Sequence, residues 1–258
     1  MSIIYTKSEG IATICLNRPD AFNSVNAALA HEWIAALDDC KKDEAVRVVV
    51  ITGKGKAFCA GQDLKEVTNP DEMPGFKVLL EKHYGPIVQR IVSLEKPVIA
   101  AVNGVAAGAG ANLALACDII VASKKASFIQ AFSAIGLIPD SGGTFFLPKL
   151  IGRARAMAYA MLGDKIGAAE AERVGMIYKC VAVEEFDETI NALAKRLAVM
   201  ATKGLGLTKR AINQSFENSF IQQLELETKL QIEASETDDY EEGVTAFIEK
   251  RKPNFKGA

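Results

Sequence analysis

The chain has 258 residues, 49% hydrophobic and 24% charged, enough to bury one large core without help from disulfides or metal. Its net charge of -2 arises from 30 basic and 32 acidic residues, interleaved rather than gathered into a patch, which argues against a nucleic-acid partner. Cys15, Cys40, Cys59, Cys117 and Cys180 are an odd set at irregular spacing, and His31 and His83 stand far apart, so free thiols in a reducing compartment and no metal are expected.

The first residues lack the charged start and long apolar run of a signal peptide, and a cytoplasmic protein is expected. Residues 11–16 read as a strand, and Asn26 is placed to cap a helix running to Lys42, with Leu29, Trp33, Ile34 and Leu37 on one face. Residues 46–52 form a β-branched strand feeding a tight turn, Lys56-Ala57-Phe58-Cys59-Ala60-Gly61-Gln62-Asp63-Leu64. Residues 67–82, with Pro70, Pro74 and Gly75, break the pattern and predict an irregular flap. A strand over 98–102 then runs into Asn103-Gly104-Val105-Ala106-Ala107-Gly108-Ala109-Gly110-Ala111-Asn112 and opens a helix. A hydropathy scan flags 97–122 as a membrane span, but Asn103, Asn112 and Asp118 interrupt it, and it reads as strand, turn and buried helix. Strands follow at 119–123 and 176–181, with a helix over 142–151 between them, and after Phe186 the signal is helical only, at 192–200, 207–218 and 222–236. This alternation predicts an α/β fold.

Two features carry chemistry. Small residues at strand-to-helix turns let a ligand approach the backbone, where a helix start presents unpaired N–H groups; two such turns, within 56–64 and 97–113, can supply two donors to one oxygen. The alternative is that Gly104, Gly108 and Gly110 only permit close packing. Asp140, between Pro139 and Ser141, offers a carboxylate for acid/base work, or a side-chain cap for the helix after it. Cys59 has no base partner near it and reads as packing, and Trp33 as helix core.

In order and spacing, these three segments resemble the crotonase superfamily of enoyl-CoA hydratases and isomerases, and the resemblance runs from residue 11 to residue 255. It implies a spiral of ββα units over 1–195 with the acyl-CoA site, and a helical region over 196–258 that packs subunits into homotrimers or hexamers. The substrate is then an acyl-CoA thioester, with coenzyme A as part of it and no separate cofactor. The resemblance makes the backbone N–H groups of Gln62 and Ala109 the donors that stabilise a thioester enolate, at about 3 kcal/mol each. Ala60, Gly61, Asp63 and Leu64 would line the coenzyme side, and Gly108, Asn112 and Phe132 would join them in binding the substrate, with Asn112 either bonding substrate or water or only satisfying buried backbone. Lys250 would reach the coenzyme's phosphates, although a basic terminal run is more often solvated surface.

Hydratases of the family use two glutamates to handle water; here Asn112 and Phe132 stand at those positions. Asp140 remains, in a pattern similar to the family's isomerases that act on ring-1,2-epoxyphenylacetyl-CoA and also shift double bonds in enoyl-CoA. A single carboxylate moving a proton between two carbons of an enolate needs no second acid. The other readings are an enoyl-CoA hydratase, an aryl-CoA dehalogenase with Asp140 as nucleophile, against which Phe132 stands where its tryptophan would be and His83 lies out of register, and a non-catalytic CoA- or RNA-binding module.

Overall fold

A computed structural model describes residues 1–67 and 75–257. The larger sheet has six strands in the order β1 (Ile3–Ser8), β2 (Ile11–Leu16), β3 (Val48–Gly53), β5 (Val98–Val102), β7 (Ile119–Ser123) and β10 (Lys179–Val181). β1 pairs with β2 antiparallel, and every later neighbour is parallel. A smaller sheet runs β4 (Ala57–Cys59), β6 (Val105–Ala107), β8 (Ser127–Ile129), β9 (Lys165–Gly167). Three times the chain lays a strand in the large sheet and, within a few residues, a short one in the small sheet: β3 to β4, β5 to β6, β7 to β8. Helices carry it to the next turn, and the result is the expected spiral of ββα units.

The register explains why the central strands read as unbroken apolar runs. Ile14, Ile51, Ala100 and Ile120 lie in one row across β2, β3, β5 and β7, on the face covered by helix α1 (Ala27–Lys42) with Leu29, Trp33 and Leu37. The opposite face presents Val50, Ile99 and Val121 to Phe186, Ile190, Ala194 and Leu197 of α8 (Phe186–Ala198). A parallel sheet covered on both sides has no polar face to alternate with. Asn26 caps α1 as expected, its Oδ1 accepting from the Leu29 N–H at 3.0 Å. Trp33 is fully buried, so Trp33→Ala is expected to cost about 3–5 kcal/mol, to be read by chemical denaturation. Its Nε1 has no partner among the described residues, so Trp33→Phe is expected to cost less.

The remaining helices are α2 (Leu64–Val67), α3 (Gly75–Val78), α4 (Gly85–Ser93), α5 (Ala109–Leu115), α6 (Gly143–Leu162), α7 (Ala168–Arg173), α9 (Thr202–Ser215), α10 (Phe220–Ser235) and α11 (Asp238–Ile248). Several expectations need correction. The expected flap is helical from Gly75 onward, through a π-helical turn Leu79–Tyr84 into α4, while residues 68–74 lie outside the described residues. The helix expected over 142–151 is the first half of α6, which breaks at Gly152 (φ 76°, ψ 157°) and continues to Leu162. The strand expected at 176–181 begins only at Lys179. A boundary after residue 195 falls inside α8, which packs on the large sheet. No helix among the described residues is long and apolar enough to cross a membrane.

Candidate active site

The first turn follows β4. The Val25 N–H donates to the Gly61 carbonyl at 2.7 Å and the Asp63 N–H donates to the Val25 carbonyl at 2.9 Å. In this single parallel bridge the Gln62 N–H, lying between those two groups, points away from Val25. The second turn follows β6. Gly108 has φ 53° and ψ -129°, a conformation in which only glycine is at ease, and it delivers the chain into α5 with Ala109 first. First-turn N–H groups have no partner within their own helix, and among the described residues neither the Gln62 nor the Ala109 N–H meets an acceptor. The two turns touch: a Cβ on Gly61 (φ 87°) would lie 2.9 Å from the Ala107 carbonyl oxygen and 3.4 Å from the Ala109 nitrogen. The glycines therefore divide in role. Gly104 and Gly110 serve packing, since a Cβ on them would strike the Lys56 and Cys59 carbonyls, whereas Gly108 meets no atom nearer than Phe132 Cζ, at 3.8 Å, and is required for its backbone angles.

Asp140 is brought to this pair by Asn112, one turn along α5 from Ala109. The Asn112 Nδ2 donates to the Asp140 carbonyl at 2.9 Å, and its Oδ1 accepts from Gln130 Nε2 at 2.8 Å. Asn112 is fully buried and packed against Gly143. Through these bonds Asn112 ties the Asp140 turn to α5. Asp140 does not cap α6 with its side chain: the N-cap is Gly142, and Gly143 donates to the Asp140 backbone carbonyl. Ser141 and Gly142 both take positive φ, 51° and 80°, and the Asp140 carboxylate accepts from the Ser141 hydroxyl at 2.9 Å. Desolvation raises the Asp140 pKa above the ordinary carboxylate value, and the Ser141 hydrogen bond offsets part of that rise.

The other expected residues divide. Gly61 is buried and Ala60 half-buried at the first turn. The Phe132 side chain is buried against Gly108. The Asp63 carboxylate accepts from Arg18 Nη2 at 2.6 Å and from the Lys65 N–H at 3.0 Å, so it pairs a cation and caps α2. Leu64 begins α2, and its side chain lies outside the described residues. Lys250 is exposed beyond the end of α11, which packs on α10, so within one chain it is not brought to the turns. The Cys59 thiol is buried and pushed up to about 12, inert as packing. His83 is buried edge-on to His31, ring centroids 5.5 Å apart.

Two polar residues beside the first turn escaped the sequence. The Tyr84 hydroxyl donates to Gln62 Oε1 at 2.8 Å, and Gln62 Nε2 donates to Glu66 Oε2 at 2.9 Å. The four-residue spacing of Gln62 and Glu66 was a usable signal; Tyr84 offered none.

Comparison with known proteins accords with this geometry. The family described as enoyl-CoA hydratase/isomerase matches residues 6–258. The chain is 46% identical over 251 residues to the 1,2-epoxyphenylacetyl-CoA isomerase of Escherichia coli, covering 96% of each. It is 45% identical over 256 residues to a "Probable enoyl-CoA hydratase" of Rhodobacter capsulatus, covering 99% of this chain and 98% of the relative. The crystal structure of enoyl-CoA hydratase from Bacillus anthracis superposes with a TM-score of 0.92 at 33% identity, covering 100% of both chains. With the spiral, the two adjoining turns and a match along nearly its whole length, the chain belongs to the enoyl-CoA hydratase/isomerase family, whose members act on acyl-CoA thioesters.

Proposed function

We propose that the protein is an acyl-CoA isomerase in which the Gln62 and Ala109 N–H groups bind the thioester oxygen and Asp140 moves the proton. The observation that carries this reading is the state of Asp140: a desolvated carboxylate with one side-chain hydrogen-bond donor, tied through Asn112 to the helix that starts at Ala109. Asn112 and Phe132, at the positions where hydratases of the family carry glutamates, are buried and neither can exchange a proton. With a 3-enoyl-CoA, Asp140 takes a proton from the carbon next to the thioester, the two N–H groups stabilise the dienolate oxygen, and the same carboxylate returns the proton two carbons further on. No atom is gained or lost.

The 1,2-epoxyphenylacetyl-CoA relative makes the ring epoxide the second substrate to test, and Phe132 beside Gly108 supplies an apolar wall suited to a ring. The helical end supports the trimer or hexamer reading, since Phe220, Phe247 and Ile248 are 76%, 85% and 72% exposed in one chain and call for a covering surface. The test is incubation with 3-enoyl-CoA and 2-enoyl-CoA in deuterated water. Bond migration with deuterium uptake is expected, and rapid water addition without migration would return the enzyme to the hydratases.

A further inference from the structure

Gln62 is held from both sides. Its backbone bridge to Val25 fixes one side, and its side-chain amide lies between Tyr84 and Glu66. A carboxylate can only accept, so the amide nitrogen must face Glu66 and the amide oxygen must face the Tyr84 hydroxyl, which fixes the direction of that O–H. The second Glu66 oxygen accepts from the Ala27 N–H at 2.9 Å, the unpaired first donor of α1. The chain of bonds thus joins the start of α1, the first turn and the helical segment 75–93. Tyr84 is 2% exposed, at the end of the π-helical turn Leu79–Tyr84, where the Gly85 N–H donates to the Leu80 carbonyl five residues back. Such local rewinding is frequent at functional sites.

We propose that Tyr84 and Glu66 are positioning residues that clamp the Gln62 amide and so aim the Gln62 N–H at the thioester oxygen. This rests on the oxyanion reading above. An oxyanion donor must lie within about 2.7–3.1 Å of where the charge develops, and a residue tethered only by its backbone has slack that a tethered side chain removes. Tyr84 is not an acid or base here. Burial and the acidic groups around it, Asp140, Glu66 and Asp63, push its hydroxyl well above the ordinary range, so it stays neutral and donates.

The test is Tyr84→Phe, which keeps the ring and removes the hydroxyl, beside Gln62→Met, which keeps the backbone N–H and removes the amide, the double variant, and Glu66→Gln. The probe is hexanoyl-CoA labelled with carbon-13 at the thioester carbonyl, whose stretching frequency falls on binding in proportion to the pull of the donors. Each single variant is expected to lose part of that fall, with kcat for a 3-enoyl-CoA down roughly tenfold, a fraction of the loss of a whole donor, and KM within about twofold. The double variant is expected to lose no more than Gln62→Met alone, because that substitution already removes the bond to Tyr84 along with the one to Glu66. Circular dichroism controls for folding, and Glu66→Gln keeps the test open if Tyr84→Phe fails to fold. Wild-type frequency and kcat in Tyr84→Phe, or additive losses in the double variant, overturn the clamp. No frequency change in the wild-type enzyme overturns the oxyanion reading and the clamp with it.

Discussion

Asp140→Asn is expected to lower double-bond migration in a 3-enoyl-CoA by roughly 10²–10⁴-fold, the range a positioned acid/base group supplies, with little change in KM. The substitution separates chemistry from architecture. Asparagine has the same shape, its Oδ1 can still accept from the Ser141 hydroxyl, and the Asn112 bond goes to the backbone carbonyl of residue 140 rather than to the side chain. What is lost is the ability to take a proton. In the wild-type enzyme kcat/KM should fall on the acid side as Asp140 is protonated, at a pH above the ordinary 3.8 because burial raises its pKa. That limb should vanish from the variant's residual rate.

Stability should move the opposite way. A carboxyl whose folded pKa is raised carries no penalty at a pH low enough for it to be protonated in both states. The penalty develops as pH rises from the unfolded value through the folded one, and is fully present at neutral pH. Asp140→Asn is therefore expected to raise the melting temperature at pH 7 and to leave it unchanged well below pH 4. Melting at the two pH values, beside the rate assay, checks both signs. A variant that still migrates bonds at the wild-type rate would remove Asp140 from the reaction.

The large sheet was legible because its strands are buried on both faces. The runs at 11–16, 98–102 and 119–123 are those of β2, β5 and β7, and α1 announced itself through Asn26 and one apolar face. The small sheet was not legible, because three-residue strands such as Ala57–Cys59 and Ser127–Ile129 are too short to show a period of two and are held by pairing with one another. α11 begins with acids and Tyr240 is 51% exposed, so its inward face is too narrow to stand out.

In the site, local chemistry could be read and distant partnership could not. Glycines at 61 and 108 and the Pro-Asp-Ser turn marked unusual backbone, and resemblance to a family supplied their union. Asp63 looked available because Arg18 is 45 residues away in sequence. Asn112 looked undecided because its acceptor, the Asp140 carbonyl, is 28 residues on. Tyr84 was hidden by the π-helical turn, which displaces it from the face that a regular helical period assigns.

Gly108→Ala is expected to lower kcat by roughly 10²–10³-fold, the loss of one whole oxyanion donor, while the protein still folds. Space is not the obstacle, because the nearest atom to an added Cβ is Phe132 Cζ at 3.8 Å. The obstacle is the pair φ 53°, ψ -129°, which strains any other residue by about 1–3 kcal/mol. Alanine relieves that strain by turning the peptide between residues 108 and 109, and that peptide carries the Ala109 N–H. The helix beyond has little freedom to follow. Gly110 is pressed against the Cys59 backbone and Asn112 is bonded to Asp140 and Gln130, so the movement is confined to the one donor. Gly61→Ala differs, because its Cβ would meet the Ala107 carbonyl oxygen at 2.9 Å, and stability should fall along with activity. In Gly108→Ala the melting temperature should stay within a few degrees of wild type, with both kcat and the carbonyl shift of bound acyl-CoA reduced. If kcat and that shift both survive, Ala109 is not a donor, and the role of Gly108 is confined to starting α5.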